Sequence, residues 1–316
     1  MLALYDAKIT FPGGYRLTLI PKDTAGSPSV AVAKAAELKR SDIDIFLGPL
    51  YSQSTQAIAQ NIKPDLMLSL SNNLEAQSEN SFIFGFTPEA EMIRTLTYAL
   101  KTNRKRVSAI LPNNEYGRKL AKVLRVIAPG FGASVDAVEF YVTTEEGRKA
   151  AADRLASRIR PIGTDIICFG DTKEHAVDLI DHLRFRDVDV SQALKVGTSL
   201  WHDESGKLPP RQLRLGLYSS SDQRSYNRFK KRFRSAHGRE PERLSLLAYD
   251  AVTLLADIAS KGNIPSRQDL MAAEIVQGSA SGAFRFETDG SVTHALSVFQ
   301  LTPNGYKVLE NAPKNF

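Results

Sequence analysis

Short β-branched or apolar runs alternate with stretches of helical period along most of this chain, and that alternation restricts its fold more than any single motif. RLTLIPKD (16–23) reads as a strand. Ser27 then caps a helix with Pro28 at its first position, carrying Val30, Ala31, Lys34, Ala35 and Leu38, and IDIFLG (43–48) reads as the next strand, completing a βαβ unit. The rhythm continues through LMLSLS, FIFGF, a helix from Glu89, VSAILP, a helix after Tyr116, VDAVEFY, a helix near 147–160, DIICFG, a helix from Thr172, and LKVGTS. Such alternation predicts mostly parallel sheets flanked by helices on both faces. The 316 residues suffice for two lobes with proper cores, so the fold class expected is two-lobed α/β. After LRLGLYSS the pattern changes to two long helices, 222–236 and 244–260. Short strands follow around Phe284-Arg285-Phe286 and at 296–301, the second ending in Thr302-Pro303-Asn304-Gly305.

Composition narrows the function classes. Cys168 is the single cysteine and sits in the apolar run Ile166-Ile167-Cys168-Phe169, which predicts a core thiol and excludes an internal disulfide. Lys and Arg exceed Asp and Glu by 41 to 35, a balance compatible with an acidic surface as partner but specific to none. No apolar run is long enough to span a membrane, and MLALYDAKITFPGG lacks the basic start and long apolar middle of a signal peptide. The sequence carries no G-x-S-x-G, H-E-x-x-H, P-loop or G-x-G-x-x-G, so a non-enzyme without cofactor or metal is the expectation. Asp171, His175, Asp178 and His182 share one helical face and imitate a metal site. The neighbouring stripe of Ala176, Leu179, Ile180 and Leu183 is the obvious core face, so the acid and histidine row reads as solvated. In RSYNRFKKRFRSAHGR the stripe Tyr226, Phe229, Phe233, Ala236 predicts an amphipathic surface helix with its cations outward, not a nucleic-acid site. Trp201, in Trp201-His202-Asp203, either lines a cleft or packs between segments.

FLGPLYSQSTQAIAQ (46–60) places Tyr51, Ser52, Gln53, Ser54 and Thr55 directly after an apolar strand and a Gly-Pro turn. Such a strand, turn and helix start presents free backbone N–H groups to an anion, or its hydroxyls cap their own helix. For Ser52, Ser54 and Asn72, capping is the expected role.

The order LGPLYSQSTQ, LSLSNN, LPNNEYGRKLAKVL, ICFGDTKE, the F-x3-F-x3-HG-x2-P pattern from Phe229 to Pro241, AYDAV and GAFRFETDG resembles the type I periplasmic-binding-protein superfamily over nearly the whole chain. LGPL, GFTPE (85–89) and LAYDAV look most like the penicillin-binding protein activators within it. The resemblance implies lobe 1 from 1–87 and 218–292, and lobe 2 from 88–217 and 293–316, with crossings near 87, 218 and 293. It also implies a first strand that would precede this chain's start, and a periplasmic or outer-membrane-anchored location. The function implied is activation of a peptidoglycan synthase by protein contact. The alternative is a receptor that delivers a small polar ligand, such as an amino acid, to an ABC permease. Cleft candidates carried over by the resemblance are Tyr51, Ser52, Gln53, Ser71, Asn72, Asn73, Tyr116, Asp171, Thr172, Ser199 and Trp201. In amino-acid-binding relatives, Ser52 and the Ser71-Asn72-Asn73 backbone would hold a carboxylate and Tyr116 would close over it. The acid expected for the ligand's ammonium falls at Ser199, with Asp171 or Asp203 as substitutes, and a second expected tyrosine falls near Thr172. For an activator, Trp201 and the cations Arg228, Lys231, Arg232 and Arg234 are the surface candidates.

Overall fold

The computed structural model describes residues 1–7, 17–205 and 207–316. It divides into two compact units, Met1–Thr87 with Ser221–Ala295 and Pro313–Phe316, and Pro88–Ser220 with Leu296–Ala312.

Unit 1 contains α1 (Leu2–Ala7), α2 (Pro28–Lys39), β1 (Ile45–Leu47), α3 (Ser52–Asn61), β2 (Leu66–Ser69) and β3 (Ser81–Ile83). β1, β2 and β3 pair in that order as a parallel sheet, with Ile45 opposite Leu66 and Met67 opposite Ser81. The apolar runs are nearly continuous because the sheet is covered on both faces. On β2, Leu66 and Leu68 enter a core with Phe229 and Leu246, while Met67 points the other way to Ala31, Ala35 and Ile58. The first of these cores is closed by the helices α8 (Gln223–His237) and α9 (Ser245–Ser260) and by a three-stranded antiparallel sheet. Its strands are β9 (Val276–Gly278), β10 (Gly282–Phe286) and β11 (Val292–His294), and α10 (Arg267–Ala272) precedes them. A single bridge, Ile83 to Ser291, links the two small sheets. The stripe expected on α8 is present: Tyr226 and Phe229 are buried and Phe233 is half-buried against them, whereas Ala236 is exposed.

The strand expected at 16–23 does not form over 17–23, and Arg16 lies outside the described residues. Leu17 and Leu19 are half-buried and Thr18 and Ile20 exposed, so the period-2 signal is real. No ladder partner meets it among the described residues, and Pro21 removes a donor; strand propensity without pairing gives no strand.

Unit 2 contains α4 (Pro88–Leu100), β4 (Arg106–Pro112), α5 (Glu115–Gly130), β5 (Ser134–Tyr141), α6 (Glu145–Ile159), β6 (Ile166–Phe169), α7 (Lys173–Phe185) and β7 (Leu194–Val196). β8 (Leu217–Ser221), β12 (Leu296–Thr302) and β13 (Gly305–Glu310) complete a seven-stranded sheet in the order β13-β12-β8-β7-β6-β4-β5. β4 through β8 are parallel, and β12 and β13 form an antiparallel hairpin. Alternate residues feed opposite cores. On β6, Ile167 and Phe169 join Tyr141, Leu179 and Trp201, while Ile166 and Cys168 join Met92, Leu96 and Leu120. Burial pushes the Cys168 thiol far up, as expected for a core cysteine. Residues 313–316, which the sequence reading leaves with lobe 2, lie with unit 1. There Arg285 Nη1 donates to the Phe316 carbonyl and Gln277 Nε2 to that of Lys314. None of the described helices is long and apolar enough to cross a membrane.

Candidate functional site

In unit 1 the candidate residues occupy two adjacent turns after β1 and β2. The N-terminus of α3 carries no side-chain cap: Tyr51 is its N-cap residue in extended conformation (φ −94°, ψ 135°). The N–H groups of Ser52, Gln53 and Ser54, orphaned by helix geometry, therefore point out of the first turn without an acceptor among the described residues. Capping by Ser52, Ser54 or Asn72, expected from sequence, is not what these side chains do. Ser54 Oγ is buried with no hydrogen-bond partner among the described residues, and Asn72 is exposed. The hydroxyls that join the two turns are Thr55, named from sequence only as part of the polar run, and Ser69, which was given no role there. Thr55 Oγ1 lies 2.7 Å from Ser69 Oγ and donates to the Tyr51 carbonyl at 3.1 Å, while Ser69 Oγ accepts the Ser71 N–H at 3.2 Å. Leu70 N–H donates to the Pro49 carbonyl at 2.9 Å, so backbone and side chains together fasten one turn to the other. The second turn is stiffened further. Ser71 Oγ accepts Asn73 N–H at 3.1 Å, and Asn73 Oδ1 accepts Glu75 N–H at 3.1 Å, capping the 3-10 turn Leu74–Ala76. Gly85 donates to the Ser71 carbonyl from so close that a Cβ there would stand 2.2 Å from that oxygen. Tyr51 is 57 % exposed, and Gln53 is also exposed.

In unit 2 the candidates follow β4, β6 and β7. Asn114 caps α5, and on its first turn Tyr116 Oη lies 2.7 Å from Thr198 Oγ1. Burial, reinforced by the nearby Glu91 carboxylate, raises the Tyr116 phenol far above its usual range, so it stays protonated. Asp171 is an internal hub. It accepts Tyr141 Oη and Thr172 N–H, both at 2.7 Å, its carbonyl accepts Trp201 Nε1 at 3.0 Å, and His175 Nδ1 approaches its carboxylate at 3.0 Å. Thr172 caps α7 through His175 N–H. The row of acids and histidines resolves into two i,i+4 pairs, Asp171 with His175 and Asp178 with His182, and Arg148 donates to Asp178 at 2.6 Å. Trp201 is not a surface residue. It is fully buried, its indole lying over Gly197, where a Cβ would stand 2.4 Å from the ring. Packing, not cleft lining or partner contact, is its role.

Ser199 itself offers no charge, but its N–H donates to Glu91 Oε2 at 3.0 Å. Glu91 is 5 % exposed, on α4. An acid from a different part of the chain thus stands beside residue 199. Asp203, the other substitute, is held well below the usual carboxylate range by Lys173, which donates to it at 2.9 Å. Asp171 and Asp203 are each engaged by neighbours, and Glu91 is the acid that accepts the N–H of residue 199. Helical period was the signal for it: Glu91 falls on the buried stripe of α4 with Pro88, Met92, Thr95, Leu96 and Ala99.

A family model described as periplasmic binding protein matches residues 2–306. The chain is 26% identical over 161 residues to an uncharacterised protein of Rickettsia prowazekii, the match covering 48% of this chain and 43% of that protein. Among solved structures it is similar to a putative branched-chain amino acid ABC transporter protein from Rhodospirillum rubrum, with TM-score 0.82, 18% identity, and 98% and 92% of the two chains covered. It is also similar to a branched-chain amino acid ABC transporter periplasmic ligand-binding protein from Burkholderia xenovorans, with TM-score 0.80, 15% identity, and 99% and 88% covered. A third, an ABC transporter substrate-binding protein from Desulfitobacterium hafniense in complex with Leu, has TM-score 0.73, 17% identity, and 98% and 93% covered. At these identities the likeness establishes the fold.

Proposed function

The chain belongs to the periplasmic binding protein family, and we propose that it is a non-catalytic receptor for a small carboxylate-bearing solute, acting at the cell envelope with an ABC permease as partner. The observation that carries this is the uncapped N-terminus of α3. Three first-turn N–H groups stand without acceptors beside a second turn locked to them through Thr55 and Ser69, and the helix adds partial positive charge there. A carboxylate satisfies those donors at no cost in reorganisation. Unit 2 by itself offers the buried Glu91 carboxylate, which accepts the Ser199 N–H, as a group suited to an ammonium.

The second reading is activation of a peptidoglycan synthase through a protein surface. It called on Trp201 and the cations of α8. Trp201 is buried, and Arg232 is engaged by Asp6, with Nε to Oδ1 at 2.9 Å, so that surface is weaker than the sequence implied. The overlapping family and fold support the receptor better.

Thermal melting against a panel of amino acids and other small carboxylates tests the proposal, since a ligand at about a hundred times its dissociation constant adds about 2.7 kcal/mol. Ser52→Pro is the decisive variant. Proline is tolerated at the first helical position and Tyr51 already has the extended backbone that must precede it, so the fold survives while one N–H and one hydroxyl are lost. The expected result is a Tm rise with one class of solute, weakened about tenfold in the variant. No response to any solute, combined with stimulation of a purified peptidoglycan synthase, would replace the receptor with the activator.

A further inference from the structure

A second pocket, of about 650 Å³, lies wholly within unit 2 and uses none of the candidate residues. It is built from the segment between α7 and β7, which enters β7 at the end opposite to Thr198 and Ser199, and from the 3-10 turn Arg211–Leu213 with Arg214 after it. Its size falls within the range of about 300–1,000 Å³ usual for small-molecule sites. Four cations line it, Arg184, Lys195, Arg211 and Arg214, against two carboxylates, Asp187 and Asp189.

Lys195 is the unusual member. It is 6 % exposed, and its ammonium makes one hydrogen bond, to the Ser191 carbonyl at 2.9 Å, leaving two of its three N–H donors without a partner among the described residues. A buried ammonium so poorly satisfied is costly unless an anion joins it. Asp189 does not do so at contact distance. It is turned to its own loop, where its carboxylate oxygens accept Ser191 N–H at 2.8 Å and Ser191 Oγ at 2.9 Å. Burial accordingly lowers the Lys195 pKa, with Asp189 opposing only at a distance. Arg184 reaches Asp181 at a long 3.9 Å, and Arg211 and Arg214 have no carboxylate partner among the described residues. The excess of two positive charges, with three of the four cations exposed guanidinium forks, matches a planar or tetrahedral dianion better than a monocarboxylate.

We propose that this pocket binds a doubly charged phosphate group, free or as a monoester, with Lys195 at its floor and Arg211 and Arg214 at its rim. Isothermal titration calorimetry of the whole chain with inorganic phosphate, and separately with glycerol phosphate, at fixed ionic strength tests it. Saturable binding is expected, weakened at least about tenfold in Arg211→Ala/Arg214→Ala, whose exposed substitutions spare the core, and similarly in Lys195→Met. Tighter binding of glycerol phosphate identifies an ester as the ligand, and equal or weaker binding identifies free phosphate; either supports the site. Heat that never saturates with either probe, or binding undiminished in the double-arginine variant, overturns it.

Discussion

His294 should make unit 1 acid-labile. It is 6 % exposed on β11, packed against Phe84, Phe86 and Phe284 at ring separations of 5.3, 4.7 and 5.7 Å, and its Nε2–H donates to the Phe84 carbonyl at 3.0 Å. Nδ1 has no partner among the described residues, so a proton there would be a buried charge without acceptor or anion. Burial accordingly lowers the imidazole pKa from 6.5 to about 4. Between those values the unfolded chain takes up a proton that the folded chain refuses, so stability falls as pH falls through that window and levels off below it. At 1.36 kcal/mol for each tenfold change in proton affinity, the loss approaches about 3 kcal/mol by pH 4.

The assay must report on unit 1, because the sole tryptophan, Trp201, reports on unit 2. Hydrogen exchange of the β10 and β11 amides at pH 7 and pH 4.5 does so, corrected for intrinsic exchange rates. His294→Phe fills the aromatic site but orphans the Phe84 carbonyl, a pH-independent cost of about 1–3 kcal/mol. The wild type should therefore be the more stable at pH 7 and lose that advantage on acidification, while one of the five histidine signals titrates near 4 by NMR. Parallel pH curves for wild type and variant would refute the reasoning, since other carboxylates contribute equally to both.

Asp250→Ala should cost about 3 kcal/mol or more by denaturant unfolding, because Asp250 accepts Ala280 N–H at 2.9 Å and Ser281 N–H at 2.6 Å in a buried place, and both donors would be orphaned. Gly85→Ala should lower Tm and weaken solute binding together, by about 1–3 kcal/mol in stability, because the added methyl collides with the Ser71 carbonyl and moves the second turn. Trp201 fluorescence should be blue-shifted and resistant to iodide quenching; ready quenching would return the indole to the surface. Charge reversal at Arg228 and Lys231 should leave Tm nearly unchanged by calorimetry, and a large drop would mean that α8 is clamped through them.

How much of this was legible depended on whether a signal repeats along one element. The parallel strands and their helices were read because each contributes several positions in period. Leu66, Leu68 and Met67, for example, are all apolar because both faces of β2 are covered, and Ala176, Leu179, Ile180 and Leu183 mark the buried side of α7 over about two turns. α10, β9 and β11 passed unread: six, three and three residues sample little of any period, and the equally short β1 and β3 were read only because they sit in the longer apolar runs IDIFLG and FIFGF. The segment 17–23 failed in the opposite sense, since alternation reports which faces a strand would have and not whether another strand is there to pair with it.

The candidate site divides along the same line. Residue types at its two turns were visible, because hydroxyl and amide residues after an apolar strand stand out locally. Their roles were not, because a role is a pairing between distant positions: Thr55 with Ser69, Asp171 with Tyr141, Ser199 with Glu91. Capping was assigned to Ser52 by residue type, yet the helix start is left open by the fold. Glu91 is the instructive case. A carboxylate on the apolar stripe of α4 costs several kcal/mol to bury unless something compensates it, so its position alone called for a partner. Motif order fixed attention on residue 199 and hid the acid 108 positions earlier that the fold brings to it.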